Sequence, residues 1–188
     1  MGAVAGFAMT TLSYDKGSMI LSGIDHSNSS GVTAGIYLDI VFPRGFRRWS
    51  VYNELYYSSY SIGGSYQERP TSRLYTVTYD YQYLKLANML RYRFPLTSAM
   101  DLHINAGISN GVVIGEENRL DSTLGSSSDS EPAFSETRGH EQAVLLGLGV
   151  AYDAFSLDFR YERGNGFSPF SNVSTTTQRF CFLLGYRF

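Results

Sequence analysis

Residues 31–42 read Gly-Val-Thr-Ala-Gly-Ile-Tyr-Leu-Asp-Ile-Val-Phe. The even positions, Val32, Ala34, Ile36, Leu38, Ile40 and Phe42, are apolar, whereas the odd positions are Thr33, Gly35, Tyr37, Asp39 and Val41. Successive side chains of a strand point to opposite faces, so a period of two gives one apolar and one largely polar face.

The same division recurs along the chain. In 101–114, Leu102, Ile104, Ala106, Ile108, Val112 and Ile114 oppose Asp101, His103, Asn105, Gly107, Ser109 and Gly111. In 139–153, Val144, Leu146, Leu148, Val150 and Tyr152 alternate with Glu141, Ala143, Gly147, Gly149 and Ala151. Phe155, Leu157, Phe159 and Tyr161 interleave with Ser156, Asp158, Arg160 and Glu162. The last segment sets Phe180, Phe182, Leu184, Tyr186 and Phe188 against Arg179, Cys181, Leu183, Gly185 and Arg187. Segments 49–61 and 77–94 follow with one interruption each, Asn53 and Asn88, and 2–13 is the least regular. These eight segments leave no helical pattern.

The links between them alternate in length. Those at 43–47, 95–99 and 153–154 are short and turn-like, whereas those at 14–30, 62–76, 115–138 and 164–173 are long and polar. All short links therefore lie at one end of the strands. Outer-membrane barrels have that asymmetry, with short periplasmic turns and long outer loops. The serine-rich 115–138 is expected to be the least ordered stretch.

Alternation alone fits two opposite molecules, a soluble barrel with its apolar face inward and a membrane barrel with that face outward. Composition decides between them. The chain of 188 residues has 15 Tyr, 12 Phe and 19 Gly, and its only lysines are Lys16 and Lys85. A soluble β surface is normally protected by lysine and glutamate. Aromatics gather at the strand ends: Phe42, Trp49, Tyr92, Phe94, Tyr152, Phe155, Tyr186 and Phe188 towards the short turns, Tyr57, Tyr60, Tyr161 and Phe180 towards the long loops. Two such belts mark the two membrane–water interfaces.

The polar phase carries isolated charges of both signs: Asp39, Glu54, Lys85, Arg91, Glu141, Asp158, Arg160, Glu162, Arg179 and Arg187. Such a set is suited to pairing in a narrow lumen. The expected fold is all-β: one domain over 1–188, an eight-stranded antiparallel up-and-down transmembrane β-barrel in the outer membrane of a Gram-negative bacterium.

The remaining bulk properties exclude other classes. A formal charge of −2 and 43% hydrophobic residues give neither a nucleic-acid-binding surface nor a disordered chain. The longest apolar run is far short of the ~20 residues a membrane helix needs. The opening 1–9 lacks a basic stretch and runs into a strand-like segment, so it reads as mature sequence with any signal removed. Cys181 has no second cysteine to pair with and reads as a small buried apolar residue.

Three stretches, 54–58 (Glu-Leu-Tyr-Tyr-Ser), 83–94 (Tyr-Leu-Lys-Leu-Ala-Asn-Met-Leu-Arg-Tyr-Arg-Phe) and 185–188 (Gly-Tyr-Arg-Phe), resemble the small porin-like or PorT-like outer-membrane β-barrels common in Bacteroidetes. That family usually has a proline inside the second motif, where Ala87 and Asn88 stand here. The resemblance implies location and fold and says little of activity, because the family includes secretion-system components. The terminal strand, with Phe180, Phe182, Leu184, Tyr186 and Phe188 outward, resembles the signal by which the outer-membrane assembly machinery recognises its clients.

Eight strands leave an interior just filled by side chains, which argues against an open pore. No cofactor, metal or catalytic site is expected. Residues 25–29 (Asp-His-Ser-Asn-Ser) resemble the His-Ser element of lipid A deacylases, but that element sits on a late strand beside an acid, and here it lies in a polar loop. His140 reads as a rim residue, His103 as a lumen hydrogen-bonder, and Glu116, Glu117, Asp121, Asp129 and Glu131 have no metal-ligand spacing.

The expected partners are outer-membrane lipid, lipopolysaccharide and, during biogenesis, the assembly machinery. The leading functional expectation is a non-enzymatic subunit of a larger outer-membrane assembly of secretion or uptake type. Its alternative is a surface barrel whose loops bind an external or host ligand, with a lipid A-modifying enzyme as a minor third. Asn53 and Asn88 support the first. Both occupy lipid-facing positions, and pairing Trp49 with Tyr92 would set them opposite each other, where they either satisfy one another by hydrogen bonding or mark a membrane-side contact for another outer-membrane protein.

Overall fold

In the computed structural model the described residues are 1–14, 25–26, 29–43, 46–67, 73–124, 127–132, 138–165 and 175–188. They form ten strands: β1 (Gly2–Tyr14), β2 (Asp25–His26), β3 (Ser29–Val41), β4 (Trp49–Gln67), β5 (Leu74–Pro95), β6 (Met100–Leu124), β7 (Ser127–Glu131), β8 (His140–Tyr152), β9 (Phe155–Gly164) and β10 (Thr175–Arg187). Eight of them close a ring in the order β1-β3-β4-β5-β6-β8-β9-β10, each antiparallel to its neighbours, and β10 returns to β1. Among the described residues, β2 adds only to β4 and β7 only to β6.

The register fixes the tilt. From Tyr152 the paired residues run Phe155, Tyr186, Ala3, Ile36, Leu55, Leu86, Asn110 and back to β8 at Gln142, ten residues from the start. That stagger in eight strands corresponds to a tilt of about 40° and an interior that side chains can fill. Ten residues at about 3.3 Å each then climb about 25 Å along the axis, the height of the apolar band of an outer-membrane barrel.

The outward surface matches that band. Ile36, Ile104, Leu148, Leu157 and Leu184 are each more than half exposed, while Glu54, Lys85, Glu141 and Arg179 are almost wholly buried. A soluble protein would invert this arrangement. At the short-turn end Trp49 and Tyr92 meet with ring centroids 4.7 Å apart and Phe155 and Tyr186 at 5.2 Å, which gives the expected lower belt. The upper belt needs one correction: Tyr60 is 2% exposed and faces the lumen, stacked on Tyr83. It lies in the same phase as Glu54 and Tyr56, and the aromatic belt near it is left to Tyr57, Tyr161 and Phe180.

The long links also differ from expectation. β4 and β5 continue as a ladder up to the pair Gln67–Leu74, and β6 runs on to Leu124, with β7 turning back along it. Much of 62–76 and 115–138 is therefore a raised sheet. It starts at a bulge where Gln82 pairs with Gly115 and Tyr83 with Val113, leaving Ile114 as the extra residue. Above the bilayer the outward face is polar and the inward face packs on the buried cluster of Ile62, Val77 and Tyr79 through Leu120, so Gly-Glu-Glu-Asn-Arg-Leu-Asp-Ser-Thr-Leu at 115–124 reads as a loop although its backbone is paired.

Candidate functional site

Since every second residue of eight strands points inward, the lumen is where the polar phases converge. From mid-height up towards the loop side three cations and three carboxylates meet: Lys85 from β5, Arg160 from β9, Arg179 from β10, and Glu54 from β4, Glu141 from β8 and Glu162 from β9. The separations are 2.8 Å for Lys85–Glu141, 3.5 Å for Lys85–Glu162, 2.8 Å for Arg179–Glu162, 3.4 Å for Arg179–Glu141 and 2.6 Å for Arg160–Glu54. Arg160 holds Glu54 with both terminal nitrogens, the bidentate geometry that favours arginine over lysine. Glu162 is the hub, because it also accepts the Tyr56 hydroxyl at 3.0 Å.

Glycines make room for this belt. A Cβ on Gly164 would lie 2.3 Å from the Glu141 carboxylate, and one on Gly149 would lie 2.5 Å from His103 Nε2. Glycine here therefore makes space for a charged neighbour.

A second cluster lies towards the short turns. Arg91 approaches Asp39 at 3.3 Å and Asp158 at 3.6 Å, and its Nε donates to Asn105 Oδ1 at 2.8 Å. Arg93 also pairs with Asp39, and His103 Nε2 sits 2.6 Å from Asp158. Arg91 lies over the Tyr52 ring at 3.9 Å, Arg179 over Tyr60 at 5.2 Å and Lys85 over Tyr83 at 5.2 Å. The negative ring faces add to what the carboxylates give these desolvated cations. Towards the loops, Tyr60, Tyr79, Tyr81 and Tyr83 pack with Leu12, Ile62 and Val77 in one buried cluster.

The sequence-expected lumen set is thus brought together, with one correction. Arg187 is exposed at the short-turn rim, and its Nη2 donates to the Asp153 carbonyl at 2.7 Å. It keeps the inward phase but lies beyond the depth at which the lumen is closed. The tyrosines and Asn105 were the unassigned members of the network. The signal for them was present, since each occupies the same alternating phase as the charges.

The arrangement fills the interior with paired side chains. His103 is committed to Asp158, and His140 is exposed at the start of β8. The His26 side chain, Ser27 and Asn28 lie outside the described residues. Glu116, Glu117, Asp121, Asp129 and Glu131 are spread along β6 and β7, and among the described residues no three potential ligands gather to hold a metal. Asp121 is held below the usual carboxylate range by hydrogen bonds from Ser130 and Arg119, so it fastens β7 to β6.

On the lipid side, Asn53 lies directly opposite Asn88. Each is four residues above the belt aromatic of its strand, Trp49 or Tyr92, and so about 10 Å into a band about 25 Å tall. Both amides lie near the bilayer midplane.

A family model described as "Outer membrane protein beta-barrel domain" matches residues 1–171. No curated protein sequence matches the chain. Among solved structures, the chain is similar to Ail, the attachment invasion locus protein of Yersinia pestis, crystallised with the heparin analogue sucrose octasulfate: 15% identity, 100% of this chain and 97% of that one, TM-score 0.42. Neisserial surface protein A matches at 16% identity over 100% of this chain and 96% of that one, TM-score 0.48. The N-terminal β-barrel domain of Pseudomonas aeruginosa OprF matches at 10% identity over 99% and 100%, TM-score 0.30.

Proposed function

The chain belongs to the outer membrane protein β-barrel domain family, whose place is the outer membrane of a Gram-negative bacterium, and from that premise we propose that it is a non-enzymatic display barrel whose raised sheet binds an external macromolecule. One observation carries this reading. β4, β5 and β6 continue beyond the lipid band by about ten residues, or about 25 Å, and end in β7, which is exposed along its whole length. Among the described residues β7 pairs only with β6, so its other edge offers free backbone donors and acceptors to an added strand. Asp129 and Glu131 on that edge favour a basic, extended partner segment.

The filled lumen supports the same reading, because it leaves the loop side and the lipid side as working surfaces. In cells carrying Ser128→Cys, a membrane-impermeant maleimide should label the protein from outside, whereas Thr97→Cys should label only after the outer membrane is permeabilised. Cys181 is buried and stays silent. A photoreactive residue at 128 should then crosslink to an external macromolecule, and Asp129→Lys with Glu131→Lys should abolish that adduct. Labelling of Thr97→Cys on intact cells, or no adduct from position 128, would sink the proposal.

A second reading, as a subunit of a larger outer-membrane assembly, rests on the midplane pair Asn53–Asn88. Amides in hydrocarbon are costly, and a protein neighbour would satisfy them. Replacing both with Leu should dissolve a complex extracted from native membranes. A complex that survives unchanged shows the pair to be local. We also read the five outward residues of the terminal strand, Phe180 to Phe188, as the recognition surface for the assembly machinery; all are more than a third exposed.

A further inference from the structure

The loop-side rim carries unlike charges on its two flanks. On β5 and β6 the outward pair Asp80–Glu117 is acidic. On β8 and β9 the outward groups include His140 and Arg163, with Arg138 just above. No carboxylate among the described residues pairs with either arginine. Arg163 is exposed, opposite Val144 on one side and Gln178 on the other. Eight residues above Phe155, it stands about 20 Å up the band, where a lipid-facing arginine is tolerated and its stem can reach the headgroups.

A groove of about 500 Å³ opens there on the outer surface, lined by Ile108, Asn110, Gln142, Val144, Arg163 and Asn165. Its lining changes character sharply with height. The pair Ile108–Val144 is apolar and more than half exposed, and the next outward pair up, Asn110–Gln142, is entirely amide. Asn165 is locked in place: its N–H donates to the Gln142 carbonyl at 3.0 Å, and its Oδ1 accepts the Gln142 N–H at 3.1 Å. Among the described residues its side-chain NH2 has no acceptor. Arg138 is drawn to the same point, with Nη1 donating to the Asn165 carbonyl at 3.4 Å.

A site that is apolar below, amide-lined above and doubly cationic at its mouth fits an amphiphile with an anionic headgroup. Its height selects the outer leaflet, where the anionic amphiphile is phosphorylated lipid A. We propose that this groove seats one lipid A molecule, with Arg163 and Arg138 donating to a glucosamine phosphate, the amides of Asn110, Gln142 and Asn165 meeting the sugar, and an acyl chain lying on Ile108 and Val144. The site is separate from β7 and stands whether or not the raised sheet binds a partner.

Native mass spectrometry of the refolded barrel with diphosphoryl lipid A should show one retained lipid per barrel. Arg163→Gln with Arg138→Gln should weaken retention about tenfold or more, as expected for loss of charge-assisted hydrogen bonds. Arg163→Lys should keep most of it, and Arg47→Gln at the opposite rim should change nothing. Dephosphorylated lipid A should bind weakly and be indifferent to the double substitution. Equal retention by the double variant, equal binding of the dephosphorylated lipid, or equal competition by phosphatidylglycerol or inorganic phosphate would each overturn the assignment. Both arginines are at the rim, so gel heat-modifiability should show the variants folded.

Discussion

Glu162→Gln is expected to destabilise the barrel by about 3–5 kcal/mol, the cost of breaking a buried ionic network by removing one partner. Glu162 faces Lys85, Arg179 and Arg160 and accepts the Tyr56 hydroxyl, so the change leaves three buried cations with two carboxylates. Each of those cations retains a single strong carboxylate contact, Glu141 for Lys85 and Arg179, Glu54 for Arg160. Urea unfolding in detergent micelles, followed by the fluorescence of Trp49, measures the loss. Adding Lys85→Met restores charge balance and should recover a substantial part of it. A single-variant effect below about 1 kcal/mol would show that the belt is hydrated and loosely coupled.

Leu184→Arg should cost about 2–4 kcal/mol, whereas Leu84→Arg should cost no more than about 1 kcal/mol. Both leucines are exposed, 60% and 41%, so a soluble barrel would tolerate the two substitutions alike. They differ in depth. Leu184 is four residues above Phe188, near the midplane, and Leu84 is eight residues above Tyr92, near the outer interface. The measurement is the same unfolding titration in lipid bilayers. Equal costs at the two sites would contradict the depth scale on which Asn53, Asn88 and Arg163 have been placed.

The eight-stranded ring was legible in the sequence because lipid outside and charge inside impose opposite demands on alternate residues. Wherever that contrast acts, as from Asp101 to Ile114, the face of each side chain follows directly. It fails where the contrast ends. The stretch 115–124 is polar outward and meets the inner cluster through Leu120, so its strand character left almost no apolar mark. Tyr60 was misplaced because tyrosine suits both an interface and a lumen closed by cations.

Partner choice in the belt was not legible either. Arg160 meets Glu54 across the lumen from a strand that is not its neighbour. Which residues share a height follows from a stagger of ten around the whole ring, a global quantity that no local window contains.

The seam between β1 and β10 has a consequence for how such a chain can be made. Gly2 pairs with Arg187 and Tyr14 with Thr175, so β1, which pairs early with β3, finds its second partner only when β10, the last strand of the ring, arrives. Among the described residues no strand pairing spans more of the chain, and contacts of long sequence separation form slowly. Until then both terminal strands are open, aggregation-prone edges, and the outward row from Phe7 to Phe182 has no lipid to cover it. Closure is therefore expected late, and until then two edges and an inside-out surface have to be kept from aggregating.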